Sequence, residues 1–156
     1  AFTASVLEPF RKLDKDIFVE LELALSKKSK SDLNKIIPDS FEYKQSLISL
    51  CDMYGGIEII HSAKKSFSYL ETTQTFMNDL DGLADKLKNI AGLVLHVDLG
   101  EIQGFKYHNG VVFSAYADSA GYVLAKGGRY DGLRKQSDRD RPAVGFDLDL
   151  VSVSNL

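Results

Sequence analysis

The sequence predicts an α+β protein in which a helical N-terminal part packs beside an antiparallel sheet, and two changes of texture carry that reading. Through residue 91 apolar side chains recur at spacings of three and four, the period of a helix face. From residue 92 onward the apolar residues alternate with polar ones and are rich in branched side chains, as half-buried strands require. Short helices beside strands joined by a hairpin-type turn give the α+β arrangement, and all 156 residues are read as one segment of a single domain.

Leu13, Ile17, Leu21, Ala24 and Leu25 fall on one stripe, so a first helix should bury a single face. It weakens through Ser26-Lys27-Lys28-Ser29-Lys30-Ser31, and a short helix capped by Ser31 or Asp32 then stops before Pro38. After Pro38-Asp39-Ser40 a stripe of Tyr43, Leu47, Leu50, Cys51 and Tyr54 predicts another helix, ended by Gly55-Gly56. Ile57 to about Phe67 reads as helical, and Phe76, Leu80, Leu83, Leu87 and Ile90 mark a surface helix packed on its own domain. Beyond Ala91-Gly92, strands are expected at Leu93–Leu99, Val111–Ala117, Tyr122–Ala125 and Ala143–Leu150. Asp118-Ser119-Ala120-Gly121 is a hairpin turn that should make the second and third of these antiparallel neighbours, and Asn109-Gly110 carries a turn signal too.

Composition excludes several classes. With 44% hydrophobic and 26% charged residues the chain can bury a core and is neither disordered nor membrane-spanning. No apolar run approaches the roughly 20 residues of a membrane span, and no basic-then-apolar leader opens the sequence, so a cytoplasmic protein is expected. Cys51 is the single cysteine and reads as a small core residue. A net charge of -3 argues against an extended nucleic-acid surface, and Lys27, Lys28 and Lys30, like Arg134, Lys135, Arg139 and Arg141, read as solvated loop charges. His61, His96 and His108 show no ligand spacing, so no metal or other cofactor is expected. His96 reads as an ordinary strand histidine. No nucleophile motif occurs, and Asp147 and Asp149 share one strand face rather than facing each other across a cleft.

Two stretches carry the functional signal, Gly104-Phe105-Lys106-Tyr107-His108-Asn109-Gly110-Val111-Val112-Phe113 and Leu124-Ala125-Lys126-Gly127-Gly128-Arg129-Tyr130-Asp131-Gly132-Leu133. Both resemble the histidine-binding signatures of the histidyl-tRNA synthetase family. Tyr-His-x-Gly-Val-Val-Phe-x-Ala-Tyr from Tyr107 and Arg-Pro-Ala-x-Gly-Phe-x-Leu-Asp-Leu from Arg141 look more like that family's non-catalytic branch, the regulatory subunits of ATP phosphoribosyltransferase. The resemblance is strong from Val94 to Leu150 and weaker at Met53-Tyr54-Gly55-Gly56. It implies part of a class II aminoacyl-tRNA synthetase-like domain within a larger protein, since nothing like the first two class II motifs is present.

The resemblance further implies a site for L-histidine formed by Gln103, Tyr107, His108, Gly127, Gly128, Arg129 and Tyr130. The chemistry suits such a ligand. A tyrosine ring packs on imidazole while its hydroxyl hydrogen-bonds, and adjacent glycines let backbone approach closely. Arg129 and Asp131 either contact the ligand or fix their own loop. Two departures argue against synthesis of an adenylate: Gln103 stands where a synthetase has a catalytic arginine, and Ser152 stands where its third motif ends in an ATP-clamping arginine. Asp149 falls at a glycine of that motif and would repel triphosphate. The resemblance therefore implies a histidine sensor, self-associating and partnered with the short catalytic subunit of ATP phosphoribosyltransferase, with no catalysis of its own. An active synthetase, or a histidine-binding domain without an enzyme partner, are the alternatives.

Overall fold

The computed structural model describes residues 2–102, 110–118, 121–131 and 142–156. The chain forms two compact units, Phe2–Gln103 and Gly104–Leu156. Together they hold helices and antiparallel ladders, an α+β fold.

The first unit is helical. Helix α1 (Phe2–Leu13) was not anticipated from the sequence, although Phe2, Val6, Leu7 and Phe10 make an apolar stripe and all four are buried. Helix α2 (Lys15–Ser26) starts at Asp14, whose extended backbone and carboxylate, accepting from Asp16 N and Ile17 N, break the chain between the helices. The stripe expected from Leu13 to Leu25 is therefore divided: Leu13 ends α1, Ile17 is 37% exposed, and only Leu21, Ala24 and Leu25 are buried. Capping outcompeted continuation because a carboxylate beside free amides stabilises a helix start by about 1 kcal/mol.

Helix α3 (Lys30–Ile36) is capped by Ser29, not Ser31 or Asp32, and ends before Pro38 as expected. The Ser29 hydroxyl accepts from Asp32 N at 3.3 Å and donates to the Asp32 carboxylate at 2.7 Å, so Asp32 closes the cap from inside the helix. Helix α4 (Lys44–Ser49) runs into a single 3-10 turn, Leu50–Asp52. Tyr54 and Gly55 do not finish that helix. They form β1, paired antiparallel with β2 (Val97–Asp98). Gly55 has φ +153, and a Cβ there would lie 3.3 Å from Glu58 and Ile59 side-chain atoms, so glycine serves a strand rather than a helix end. Of the strand expected over Leu93–Leu99 only Val97 and Asp98 pair, and Leu93 and Val94 are exposed.

Helices α5 (Glu58–Ser66) and α6 (Glu71–Leu87) fall where the periodicity placed them. The buried face of α6 is rotated from the expected stripe: Thr73, Met77 and Ala84 are buried, while Leu83 is 39% and Ile90 52% exposed. The adjacent stripe carries a hydroxyl with two good acceptors. Thr73, fully buried, donates to Leu70 O at 2.6 Å or to Phe67 O at 3.2 Å. Around it the core gathers Phe67, Leu50, Leu21, Leu25, Ile60 and Met77, with Phe2 edge-on to Phe67 at 5.2 Å between ring centroids.

The second unit is a three-stranded antiparallel sheet in the order β3 (Val112–Ala115), β4 (Ala125–Asp131), β5 (Pro142–Leu148), followed by a short helix α7 (Leu150–Ser154). The expected antiparallel neighbours are found, but Ala115 pairs with Ala125, so 116–124 is a longer connection than a four-residue turn. Ser119 and Ala120 lie outside the described residues. Strand β4 begins at Ala125, where the expected strand was to end.

Burial of the Thr73 hydroxyl makes a testable claim. Thr73→Val keeps the shape but leaves carbonyls at the α5–α6 junction without their donor, and should lower unfolding free energy by about 1–3 kcal/mol. Thr72→Val, on the exposed side, should stay within about 0.5 kcal/mol of wild type. Urea unfolding of both variants in the full-length protein measures the difference, and equal costs would place Thr73 outside the core.

Candidate functional site

The sheet reorganises the expected site. Gly127, Gly128, Arg129 and Tyr130 sit within β4, the central strand, rather than on a loop after a strand. Successive strand residues point to opposite faces, so Gly127 and Arg129 share one face while Gly128 and position 130 share the other. The pairing Gly127↔Phe146 and Arg129↔Val144 adds apolar side chains to the first face, together with Phe113 opposite Gly127. Position 130 pairs with Ala143 and Gly128 pairs with Gly145 and Val112, so the second face is floored by small residues. Gln103, Tyr107, His108 and Asn109 lie outside the described residues, as does the side chain of Tyr130.

Gly127 is required by its neighbour strand. A Cβ on it would meet the Gly145 carbonyl oxygen, with Phe146 Cβ at 2.6 Å and its Cα at 2.8 Å. Backbone closeness at this glycine is thus spent on sheet packing. Gly110 makes similar room on the first face: a Cβ there would come within 2.8 Å of Arg129 Cβ and 3.0 Å of its Cδ, so the aliphatic stem of Arg129 lies against glycine. Arg129 N also donates to Val111 O at 2.9 Å. Sequence reading missed Gly145, which has no side chain to crowd Gly128, and Gly110 as the seat of Arg129. The glycine at the centre of the Arg141–Leu150 stretch was the available signal for the former.

At the end of β5 the chain turns into α7. Asp149 is not on the strand face with Asp147, as expected, but is the helix N-cap. Its carboxylate accepts from Ser152 N at 3.0 Å and from the Ser152 hydroxyl at 2.7 Å. These bonds, the backbone one first, hold the Asp149 carboxyl below the ordinary carboxylate range. The amides of this helix start are therefore engaged by a fixed negative charge of the chain itself.

Elsewhere the chemistry is quiet. Cys51 is buried, and burial raises its thiol pKa, so it remains protonated. His61 and His96 are exposed. Among the described residues no group of three or more His, Cys, Asp or Glu could hold a metal ion, and no helix is long and apolar enough to cross a membrane.

A three-stranded antiparallel sheet carrying Gly-Gly-Arg-Tyr-Asp on its central strand, with the third strand turning into a helix, is a piece of a class II synthetase-like domain. A family model described as histidyl-tRNA synthetase matches residues 4–153, and the chain belongs to that family. A Cupriavidus metallidurans protein named ATP phosphoribosyltransferase regulatory subunit is 31% identical over 152 residues, which is 97% of this chain and 38% of that protein. One of the same name from Pseudomonas aeruginosa is 35% identical over 136 residues, covering 85% of this chain and 34% of its own length. The crystal structure of an ATP phosphoribosyltransferase regulatory subunit/histidyl-tRNA synthetase from Bacillus halodurans aligns with a TM-score of 0.66 at 26% identity, over 81% of this chain and 34% of that one. The chain thus spans little more than a third of the curated relatives it matches.

Two measurements check this geometry. Gly127→Ala should cost about 1–3 kcal/mol through overpacking against β5, whereas Gly121→Ala, with nothing within 4 Å of the added carbon, should be near neutral; equal melting temperatures for the two would mean that β5 does not close over Gly127. Asp149 has its folded pKa depressed, so its contribution to stability is present above its unfolded pKa and is lost as pH falls through the folded one. The Ser152 amide proton, followed by NMR in acid, should titrate with a midpoint below the ordinary 3.8 of an aspartate. A midpoint at or above that value would remove the cap.

Proposed function

We propose that this chain is a segment of a regulatory subunit of ATP phosphoribosyltransferase, one that catalyses nothing itself, supports the activity of a short catalytic subunit in histidine biosynthesis and binds histidine as a feedback signal. The observation that carries the non-catalytic reading is the Asp149–Ser152 cap. By resemblance, a synthetase has a glycine and an ATP-clamping arginine at these two positions. Here a carboxylate and a hydroxyl bond to each other across the helix start, which favours no phosphate and offers no bidentate donor. Gln103 supports the same conclusion, because a neutral amide can hydrogen-bond a carboxylate but cannot neutralise charge developing on a phosphate. The names of the relatives point the same way. All 156 residues are read as one segment of a class II domain, helical over 1–91 and strand-rich over 92–156, in a cytoplasmic, self-associating assembly.

Within the histidine site, Tyr130, Gly128, Tyr107, His108 and Gln103 are the residues proposed to contact ligand. The small residues paired beside position 130, Ala143 and Gly145, leave room for an imidazole next to a tyrosine. Gly127 and Arg129 act from the opposite face, shaping the strand. Feedback needs only that histidine bind one state of the assembly better than another, by about 1–3 kcal/mol.

The decisive experiment uses the full-length protein with its short catalytic partner. Tyr130→Phe removes one hydroxyl and should weaken histidine binding by roughly 5- to 150-fold, while the variant still associates with the partner and raises its turnover. Histidine-dependent exchange of pyrophosphate into ATP should stay at the level of a no-enzyme control for the wild type. Clear exchange would make the protein a synthetase; failure to associate would make it a histidine-binding domain without an enzyme partner; unchanged affinity would move Tyr130 out of the site.

A further inference from the structure

The stretch of chain leading to Gln103 is fastened more tightly than a connector needs. Strand β2 pairs with β1, and Leu99 N donates to Met53 O at 2.9 Å. Thr3, on α1, is 3% exposed and directs its hydroxyl at Leu99 O, 2.9 Å away, and Glu101 O, 3.2 Å away. From the turn between α2 and α3, the Lys28 ammonium reaches Asp98 Oδ1 at 2.6 Å, and the same oxygen accepts from Gly100 N at 2.9 Å. Gly100 is the residue that lets these groups converge: a Cβ on it would stand 2.6 Å from Lys28 Nζ and 2.7 Å from Leu50 O.

Lys28 also carries a backbone cost. Its φ of +51° makes it the one non-glycine residue in the left-handed region among the described residues, a conformation that persists where surrounding contacts impose it. Its ammonium stands 5.7 Å above the Tyr54 ring centroid. The Lys28 and Asp98 side chains are 31% and 37% exposed, and an ion pair that wet contributes little to global stability. What it does supply is position, because it ties the α2–α3 turn to a point 70 residues later in the chain.

We propose that Lys28 and Asp98 form a positioning clamp that sets where the backbone enters the Gln103–Gly110 motif, and so tunes histidine affinity without touching the ligand. Only Glu101 and Ile102 separate Gly100 from Gln103. Two residues of chain have little slack to absorb a displacement at Asp98, so a shift there is handed on to the motif. Lys28 and Asp98 are positioning residues in this scheme. It rests on the histidine-site reading of that motif given above.

Full-length wild type, Lys28→Met and Lys28→Arg are compared by calorimetry of L-histidine binding and by amide hydrogen exchange without histidine, with α6 as internal control. Lys28→Met keeps the aliphatic stem and deletes the charge. It should accelerate exchange across residues 97–102 while α6 is unaffected, and weaken histidine binding by about 2- to 30-fold. Lys28→Arg should restore both. Unchanged exchange at 97–102, or equal acceleration in α6, overturns the clamp, and so does faster exchange with unaltered affinity. If the wild type binds no histidine, the histidine-site reading is what fails, and the exchange pattern still decides whether the clamp holds the backbone.

Discussion

The absence of a side chain on Gly127 is the constraint on which the sheet depends. Strand β5 comes so close over this residue that its own backbone fills the place of a Cβ. With that contact made, the register Gly127↔Phe146 and Gly128↔Gly145 follows, and with it the division of the signature between two faces. A one-residue slip would exchange those faces. The same strand thus uses one glycine for packing and leaves its neighbour beside the residue read as the ligand's partner.

Charge is arranged in this chain to fix backbone more than to do chemistry. Asp14 starts α2, Ser29 and Asp32 start α3, and Asp149 starts α7, in each case by engaging amides that a helix start leaves without partners. Lys44, with its side chain 9% exposed, reaches Asn34 O and the Asp39 carboxylate, each at 2.7 Å, and so closes the loop between α3 and α4. At Asp149 this structural use bears on function: a carboxylate committed to a cap occupies the end of β5, where a nucleotide-using relative would need positive charge.

The two units differ in how they are held. In Phe2–Gln103 a continuous apolar core runs from Phe2 to Leu99. In the sheet unit, Val144 and Phe146 are 74% and 69% exposed, and the order comes from ladder hydrogen bonds and from glycines that permit close strands. The chain is little more than a third of its curated relatives' length, and the apolar face of the sheet is a surface of this segment rather than of a whole protein.

Periodicity alone located α2, α5, α6, β3 and β5 to within a few residues, because a 3.6-residue stripe and a strict alternation are local properties of the chain. Motif chemistry likewise made the family legible: Tyr107-His108 and Gly127-Gly128-Arg129-Tyr130 are short, ordered patterns that need no fold to be seen. What sequence could not decide is what depends on partners distant in the chain. Whether Asp14 interrupts a helix, whether Gly55 ends one or pairs with Val97, which stripe of α6 turns inward, and whether Gly127 to Tyr130 is loop or central strand were all settled by tertiary structure. Each of those outcomes rests on a contact or hydrogen bond that competes with a local preference of about 1 kcal/mol or less, and a preference that small yields whenever burial or strand pairing opposes it.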